Sequence, residues 1–540
     1  MGMQNGHWSM NRLSAQVAAV AVTATAVGLL DAALVTSALA GARGSFQFVP
    51  PRIWIVAPAV WVLLAAVATA VVLPLMRRWG GVAVAAALTI AFITIRLRGH
   101  WVLLFTVLAA WLIALVMSRK WLLAWLARPR PAIAATVFGS VTVCAILAAA
   151  HPLSRAPAAT QRGAAGPNVI VIFLDTVRYD AVFDAAGRVQ ADLPALARVR
   201  ADSTVFTRAY GTTSWTLPSH LSAVTGLPSS QLGVGFDAQV YTRSDPTLAE
   251  RFRRRGYRTA AVISNTFLNA GSGFSRGYDT FQQAQAGLDI CRTAPGLMAD
   301  THWPWFSAAV CNWTASEVTT RARALLDDTD GPFFLTLNYM DAHDPYFVER
   351  SCGGANGYRA ALQCIDRSLA PIVDWRSSRR PTILAVVGDH GEQFGEHGLH
   401  LHGNSLYTQV LHVPLMVRSI DGAGARTDTQ PISIAALPSL VADTSGGPLR
   451  DGPVRARLDP PATSHLPSQW SAIDDSWHLI VRERGPESLY FLPSDPAEEH
   501  DLSGTAPADP AIARLRAAIE DMRRVPKPDL GRFRSLGYLH

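Results

Sequence analysis

The sequence predicts an α/β protein with a mainly parallel sheet sandwiched by helices, preceded by an amino-terminal bundle of about five transmembrane helices. The composition changes near residue 150, from long runs of Ala, Val, Leu, Ile and Trp to short apolar runs alternating with helical patterns. Several of the short runs end at an acidic or polar residue, as the carboxyl ends of parallel strands do at ligand sites. At 540 residues the chain is too long for a single domain.

Charge is divided as unevenly as hydrophobicity. Residues 1–167 hold 13 of the 48 Lys and Arg residues but only one of the 41 acids, Asp31. The remainder therefore has 35 basic and 40 acidic residues, a net charge of about −5. Because the basic balance belongs to the predicted membrane loops, the sequence argues against a nucleic-acid partner.

Five apolar runs are long enough to cross a bilayer, and they lie near residues 14–40, 53–76, 81–95, 101–117 and 132–150. With the amino terminus inside, the loops carry seven basic residues on the inner side and six on the outer. We therefore expect an integral, multi-pass protein of a bacterial-type cytoplasmic membrane. Its domains would be a transmembrane domain over 1–150, a linker over 151–167 and an extracytoplasmic domain over 168–540, with a smaller carboxyl-terminal subdomain from about 450.

Cysteine usage agrees with an outer location. Cys144 falls in the fifth predicted span, whereas Cys291, Cys311, Cys352 and Cys364 give the outer domain an even count. We expect local disulfides, 291 with 311 and 352 with 364, although three connectivities are open. A zinc cluster is the alternative, and the lack of a close Cys-x-x-Cys pair counts against it.

The outer domain alternates strand and helix patterns. Strands are predicted near 168–174, 257–264, 333–339 and 383–387, and helices near 193–201, 246–255, 315–328 and 357–375. The first strand ends at Asp175, and the last ends at Gly388 followed by Asp389 and His390. A carboxylate beside an imidazole at such strand ends predicts a metal site; for an isolated pair, a role in turn geometry is the alternative.

Two further stretches carry chemistry. Pro218 suits the first turn of a helix, which would place the hydroxyl of Thr216 at an amino-terminal mouth that favours anionic groups. The alternative is that Thr216 only caps the helix. His343 follows the strand near 333–339, where it could contact substrate oxygens or protonate a leaving group, or be an ordinary loop histidine.

In order and spacing, these stretches resemble the sulfatase branch of the alkaline phosphatase superfamily, from Asn168 nearly to the end of the chain. The resemblance rests on Leu-Asp-Thr-Val-Arg-Tyr-Asp from Leu174, Trp-Thr-Leu-Pro-Ser-His from Trp215, His-Asp-Pro-Tyr from His343, Gly-Asp-His-Gly-Glu from Gly388 and Leu-His-Gly from Leu401. It implies an alkaline phosphatase/sulfatase-like fold and a covalent intermediate on a nucleophile.

The resemblance also implies roles for particular residues. The metal ligands would be Asp175, Thr216, Asp389 and His390, and Thr216 would also be the nucleophile. His343 and His402 would face the transferred group or a second metal. His220 and His397 are further candidates for substrate binding, with a structural role open for each.

Departures from true sulfatases count against sulfate ester hydrolysis. Sulfatases resemble one another in a Cys or Ser that is oxidised to formylglycine, two residues before a Pro and four before an Arg. Here these positions are Thr216, Pro218 and His220, and a threonine cannot give that aldehyde. Arylsulfatases also contact sulfate through lysines, yet the chain has only Lys120 and Lys527.

The predicted ligands also differ from the all-oxygen calcium site of arylsulfatases. A single acid, Asp175, is followed by Thr176, and His390 supplies nitrogen, so zinc or manganese is favoured over calcium. A threonine as nucleophile, the Asp-His pair, the Leu-His-Gly downstream and five spans together resemble the bacterial phosphoethanolamine and phosphoglycerol transferases. This resemblance implies that a phospho head group moves from a membrane phospholipid to an envelope glycan or lipid through Thr216. The alternatives are a sulfatase-like sulfuric or phosphoric ester hydrolase without formylglycine and an inactive membrane-anchored binding protein.

Overall fold

The structure, a computed structural model, describes residues 166–525 apart from gaps at 237, 285–311, 328–330, 347, 350–351, 354–356, 376–379, 419, 421–424, 443–451, 461–465, 506 and 508. The five predicted spans, almost all of the predicted linker, and Cys144, Cys291 and Cys311 lie outside these residues. Within the described part of the chain, no helix combines the length and apolar character needed to cross a bilayer.

Seventeen strands are present in the described residues: β1 Asn168–Leu174, β2 Thr204–Phe206, β3 Ala209–Tyr210, β4 Arg258–Ile263, β5 Thr280–Gln283, β6 Phe333–Tyr339, β7 Thr382–Gly388, β8 Gln393–Phe394, β9 His400–Leu401, β10 His412–Val413, β11 Leu415–Arg418, β12 Arg426–Asp428, β13 Ile432–Ser433, β14 Val454–Leu458, β15 Gln469–Ile473, β16 Trp477–Arg482 and β17 Ser488–Phe491. Eight of them form the main sheet in the order β12-β2-β11-β7-β1-β6-β4-β5. Five neighbouring pairs are parallel, but β11 runs antiparallel to both β7 and β2. The predicted parallel core is therefore present within a mixed sheet.

The central strand explains how the sheet is held. All seven residues of β1 are buried, because β6 and β7 pair with it on its two edges and helices cover both of its faces. Since side chains alternate along a strand, Val171 and Phe173 enter one core while Ile170 and Ile172 enter the other. Truncating the fully buried Phe173 to alanine is expected to cost about 3–5 kcal/mol.

Ten α-helices are present in the described residues: α1 Tyr179–Val182, α2 Pro194–Ala201, α3 Thr216–Thr225, α4 Ser229–Leu232, α5 Leu248–Arg254, α6 Ala315–Asp327, α7 Tyr358–Val373, α8 Thr408–Leu411, α9 Leu437–Val441 and α10 Pro510–Arg524. Helices α3, α5 and α9 pack on one face of the sheet, and α2, α6 and α7 on the other. The predicted sandwich is thus observed. A separate antiparallel sheet, β14-β15-β16-β17, packs its apolar face on α10.

One predicted disulfide is observed. Cys352 is bonded to Cys364, which is fully buried in α7, and the bond closes a short loop with a sequence separation of 12. We expect the Cys352→Ala/Cys364→Ala variant to lose about 3 kcal/mol of stability, because the unfolded chain regains the entropy of the open loop. Urea unfolding of the variant and of the oxidised wild type measures the difference. Identical midpoints would contradict the expectation.

Helix α6 begins against a buried acid whose ionisation should make stability depend on pH. Asp341 Oδ1 accepts a hydrogen bond of 2.9 Å from the amide of Ala315, and burial raises the pKa of Asp341 to about 7. An unfolded aspartate titrates near pH 4, so between about pH 4 and 7 the unfolded state ionises while the folded carboxyl stays protonated. Stability attributable to this group is complete below pH 4 and is lost as the pH rises to about 7.

The Asp341→Asn variant tests this dependence, because its amide cannot ionise. We expect the variant to match the wild type at pH 4 and to exceed it in stability by roughly 4 kcal/mol at pH 8. The free energy of unfolding in urea, measured at half-unit intervals of pH, gives both profiles. Parallel profiles for the two proteins would show that Asp341 ionises normally in the fold.

Candidate metal and nucleophile site

The carboxyl ends of four adjacent parallel strands bring the candidate residues together. Asp175 follows β1, and Asp389 and His390 follow β7, whose Gly388 lies opposite Leu174. Asn338 lies near the end of β6, and Asn265 comes shortly after β4. This convergence explains why residues far apart in sequence share one buried site.

Three buried side chains form a cluster suited to a divalent cation. His390 Nε2 lies 3.3 Å from Asp389 Oδ2 and 4.0 Å from Asp175 Oδ1, and all three side chains are fully buried. One ligand atom from each lies within 4.8 Å of the others. The same two oxygens, Asp175 Oδ1 and Asp389 Oδ2, are buried and accept no well-formed hydrogen bond from the described residues, although His220 Nδ1 lies 3.2 Å from the second of them. Because unpartnered buried carboxylate oxygens are costly, this arrangement fits a bound cation.

The imidazole of His390 is set up as a neutral ligand. Its Nδ1 lies 3.0 Å from the carbonyl oxygen of Gly391, so Nδ1 carries the proton and donates a hydrogen bond to that oxygen. The lone pair is therefore on Nε2, which faces Asp389 and Thr216. Burial lowers the pKa of His390 well below 6.5, and the nearby His402 lowers it further. A neutral imidazole oriented by a backbone carbonyl is typical of a metal-binding histidine.

The other oxygen of each carboxylate is committed to the fold. Asp175 Oδ2 accepts hydrogen bonds from the side-chain amides of Asn265 and Asn338, at 2.8 and 3.2 Å. Asp389 Oδ1 accepts from the backbone amides of Thr176 and His390, at 3.1 and 2.8 Å. Each carboxylate is thus fixed by one oxygen while the other oxygen points to the cluster.

Asn265 was not among the site residues predicted from the sequence. Its position could have indicated it, since Asn265 directly follows the predicted strand at 257–264, just as Asp175 follows the predicted strand at 168–174. An amide at a strand end is common, however, and only the sheet order shows that the amides of Asn265 and Asn338 both meet Asp175.

Thr216 lies at the first residue of α3, at the predicted helix mouth. Trp215 is the residue before the helix, and its side chain makes no capping bond. The hydroxyl of Thr216 instead lies 3.3 Å from His390 Nε2 and 3.5 Å from Asn265 Nδ2. The side chain is 2 % exposed. The hydroxyl therefore faces the cluster, and the positive end of the helix dipole favours an anionic group beside it.

His220, one turn further along α3, lies behind the cluster. Its Nδ1 is 3.2 Å from Asp389 Oδ2 and 3.0 Å from the carbonyl oxygen of Thr216, and Asn338 Nδ2 lies 3.3 Å from its Nε2. Burial lowers the pKa of His220, but the negative charge of Asp389, whose Oδ2 is 3.2 Å away, outweighs burial, so the net effect is a raised pKa. Through these contacts His220 orients Asp389, which is a structural role. Substrate binding by His220 stays a prediction.

His402 and His343 extend the cluster outward from His390 through two successive ring contacts. The His402 ring is 4.6 Å from that of His390 and 4.8 Å from that of His343. His402 Nδ1 lies 2.9 Å from Oε1 of the fully buried Glu392, whose other oxygen accepts a hydrogen bond from Tyr346. Burial lowers the pKa of His402, but the hydrogen bond and charge of Glu392 raise it above 6.5. His402 can therefore hold a proton near neutral pH.

The structure does not bring His397 to this cluster. His397 is exposed, has a left-handed backbone conformation with φ of 56°, and stacks on Tyr407 at 3.7 Å between ring centroids. No described hydrogen bond or ring contact joins it to the cluster residues in the part of the chain that the structure covers. Substrate binding by His397 stays a prediction.

Comparison with known proteins assigns the family. Residues 167–446, more than half of the chain, match the sulfatase family. The choline-sulfatase of Rhizobium meliloti (strain 1021) is 21% identical over 444 residues, which cover 66% of this chain and 86% of that protein.

Solved structures agree on the fold. The phosphonate monoester hydrolase of Agrobacterium radiobacter superposes with a TM-score of 0.50 at 17% identity, covering 67% of this chain and 95% of that one. A protein solved with its substrate D-glucosamine-2-N,6-O-disulfate gives a TM-score of 0.52 at 13% identity, covering 66% and 98%. The chain therefore belongs to the sulfatase family.

Proposed function

We propose that the protein is a membrane-embedded, metal-dependent phosphotransferase or phosphodiesterase that acts through a covalent intermediate on Thr216. The observation that supports this most is the position of the Thr216 hydroxyl. It is buried, does not cap its helix, and lies 3.3 Å from His390 Nε2 beside two carboxylate oxygens that accept no well-formed hydrogen bond from the described residues. A threonine hydroxyl is a poor nucleophile near neutral pH, so it needs an adjacent base or a bound metal ion to activate it.

Four atoms would hold the metal, Asp175 Oδ1, Asp389 Oδ2, His390 Nε2 and Thr216 Oγ1. A nitrogen among oxygen ligands favours zinc or manganese over calcium. A divalent cation bound there would supply charge neutralisation for the phosphoryl group and would lower the pKa of the threonine hydroxyl.

The chain's own residues would divide the remaining work. Thr216 Oγ1 would attack as the alkoxide, its proton having passed to solvent, and its bond to phosphorus forms while the bond from phosphorus to the leaving oxygen breaks. That oxygen takes a proton from His402, which Glu392 keeps protonated, and His343 lies beside His402 to contact substrate oxygens. Water or an acceptor alcohol then attacks phosphorus, gives its proton to the now neutral His402 and releases Thr216 as the alkoxide.

Donor and acceptor follow from the predicted membrane domain. Spans directly before the catalytic domain would keep it near phospholipid head groups, which are phosphodiesters. We therefore propose a membrane phospholipid as donor, a phosphoethanolamine- or phosphoglycerol-type group as cargo, and an envelope glycan or lipid as acceptor, on the outer side of the cytoplasmic membrane.

Sulfate ester hydrolysis is the second candidate, favoured by the family match and by a relative named choline-sulfatase. Two features count against it. Thr216 occupies the position at which sulfatases carry the formylglycine precursor, and a threonine cannot form that aldehyde. In addition, residues 166–525 contain no lysine to contact a sulfate group.

Intact mass and peptide mapping test the proposal. The full-length protein is loaded with zinc or manganese and exposed to vesicles of phosphatidylethanolamine and phosphatidylglycerol, then compared with the Thr216→Ala variant. A phosphoryl-linked adduct on Thr216, absent from the variant, is the expected result, and its mass identifies the cargo. Turnover of sulfate esters without turnover of any phosphodiester would overturn the phosphoryl assignment.

A further inference from the structure

A small cavity of about 20 Å³, roomy enough for one water-sized group, opens beside His343, between the end of β6 and the start of α6. Its lining includes Trp313, Asp341 and Asp344. His343 connects this cavity to the reaction site, because its ring is 4.8 Å from that of His402. A group bound here would therefore be separated from His390 by two ring contacts, those of His343 with His402 and of His402 with His390.

Only one of the two carboxylate oxygens of Asp341 accepts a hydrogen bond from the described residues. Its Oδ1 accepts the amide of Ala315 at 2.9 Å, but its Oδ2 is buried without a hydrogen-bond partner among the described residues. The side chain is 8 % exposed and lines the cavity. An acceptor in this state lacks an N–H or O–H donor, which a ligand in the cavity could supply.

The electrostatics of the cavity favour a cation as that donor. Glu317 and Glu349 add negative charge around Asp341, and no lysine or arginine is among the described residues that line the cavity. The guanidinium of Arg321 lies 4.0 Å from the ring of Trp313, so that ring already contacts a cation of the chain itself. A neutral polyol could donate to Asp341 Oδ2, but only a cationic donor would also form a charge-assisted hydrogen bond with the ionised carboxylate.

We propose that this cavity is an amine-binding subsite in which Asp341 Oδ2 accepts an N–H of a primary ammonium group on the substrate. The inference rests on the proposed phosphoester chemistry, and it makes a small aminoalcohol the head group beside the phosphoryl group. A primary ammonium is preferred to a quaternary one, because only the former has an N–H to donate. Asp341 is then a specificity-determining residue, distinct from the residues that would hold the divalent metal ion.

The Asp341→Asn variant tests the subsite, because its amide oxygen can keep the bond to Ala315 while the negative charge is lost. Binding of O-phosphoethanolamine and of glycerol 3-phosphate is measured by calorimetry on the full-length, zinc-loaded protein at pH 8. We expect the wild type to prefer O-phosphoethanolamine. In the variant its Kd should rise by about 10- to 100-fold, while that of glycerol 3-phosphate changes less than about twofold.

Asp279→Asn is the control. Asp279 Oδ2 accepts the backbone amide of Thr259 at 3.1 Å, as Asp341 Oδ1 accepts that of Ala315, so the variant likewise removes one charge while an amide oxygen can keep the bond, but Asp279 does not line the cavity. Loss of the amine preference in Asp341→Asn alone supports the subsite. Unchanged binding in Asp341→Asn, or equal losses in both variants, overturns it. A preserved amine preference in a protein that turns over no phosphodiester would overturn the proposed function and leave the subsite standing.

Discussion

Replacing Thr216 by alanine is expected to lower kcat/KM for a phosphodiester by at least about 10³-fold, because in the proposed mechanism the hydroxyl oxygen forms the covalent intermediate. The protein should keep its fold, since this hydroxyl does not cap α3 and its nearest contacts are His390 and Asn265. Hydrolysis of bis(4-nitrophenyl) phosphate by the metal-loaded protein gives the rates. Equal thermal unfolding profiles show that the comparison is between folded proteins.

Two further variants make this result specific. Thr216→Ser keeps a hydroxyl at the same place and should retain measurable activity and the covalent adduct. Thr225→Ala removes a buried hydroxyl from the other end of the same helix, where it donates to the carbonyl of Leu221 at 2.7 Å, and should leave kcat within about twofold. Full activity in Thr216→Ala would show that another group or a water molecule attacks the ester.

Replacing Asp389 by asparagine is expected to abolish stable metal binding and with it the stabilisation that the metal provides. The amide has no charge, and Asp389 Oδ2 lies 3.3 Å from His390 Nε2 and 3.2 Å from His220 Nδ1, at the centre of the cluster. At a metal concentration 100 times its Kd, the wild type should gain about 2.7 kcal/mol of stability. The variant should gain less than about a tenth of that amount.

Metal content by elemental analysis and unfolding with or without zinc, manganese or calcium give the measurements. Asp366→Asn, which alters a buried carboxylate on the opposite side of the sheet, should bind metal like the wild type. We expect zinc and manganese to stabilise the wild type more than calcium does, because His390 presents a neutral nitrogen. Stabilisation of Asp389→Asn equal to that of the wild type would place the metal elsewhere.

Local pattern was enough to predict the main secondary structure. The strands at β1, β4, β6 and β7 and the helices α2, α5, α6 and α7 begin and end within a few residues of the predicted limits, because buried parallel strands are continuous apolar runs. β11 was not predicted as antiparallel to its neighbours. It has only four residues, and its direction depends on how the chain returns after β7.

The sequence by itself determined which strand ends carry the candidate ligands and which residue places a hydroxyl beside them. Asp175, Thr216, Asp389 and His390 could be selected because each occupies a position defined by its immediate neighbours, a strand end or a helix start. Such positions are local, and local geometry follows from short-range propensities and apolar periodicity.

The tertiary structure alone decided how these groups are partnered. Asn265 reaches Asp175 across 90 residues, Glu392 orients His402, and Asp341 keeps one oxygen for α6 and exposes the other to a cavity. These contacts depend on the order β7-β1-β6-β4 in the sheet. Many strand orders satisfy the same apolar pattern, whereas only one of them is selected by the packing of both cores against the helices.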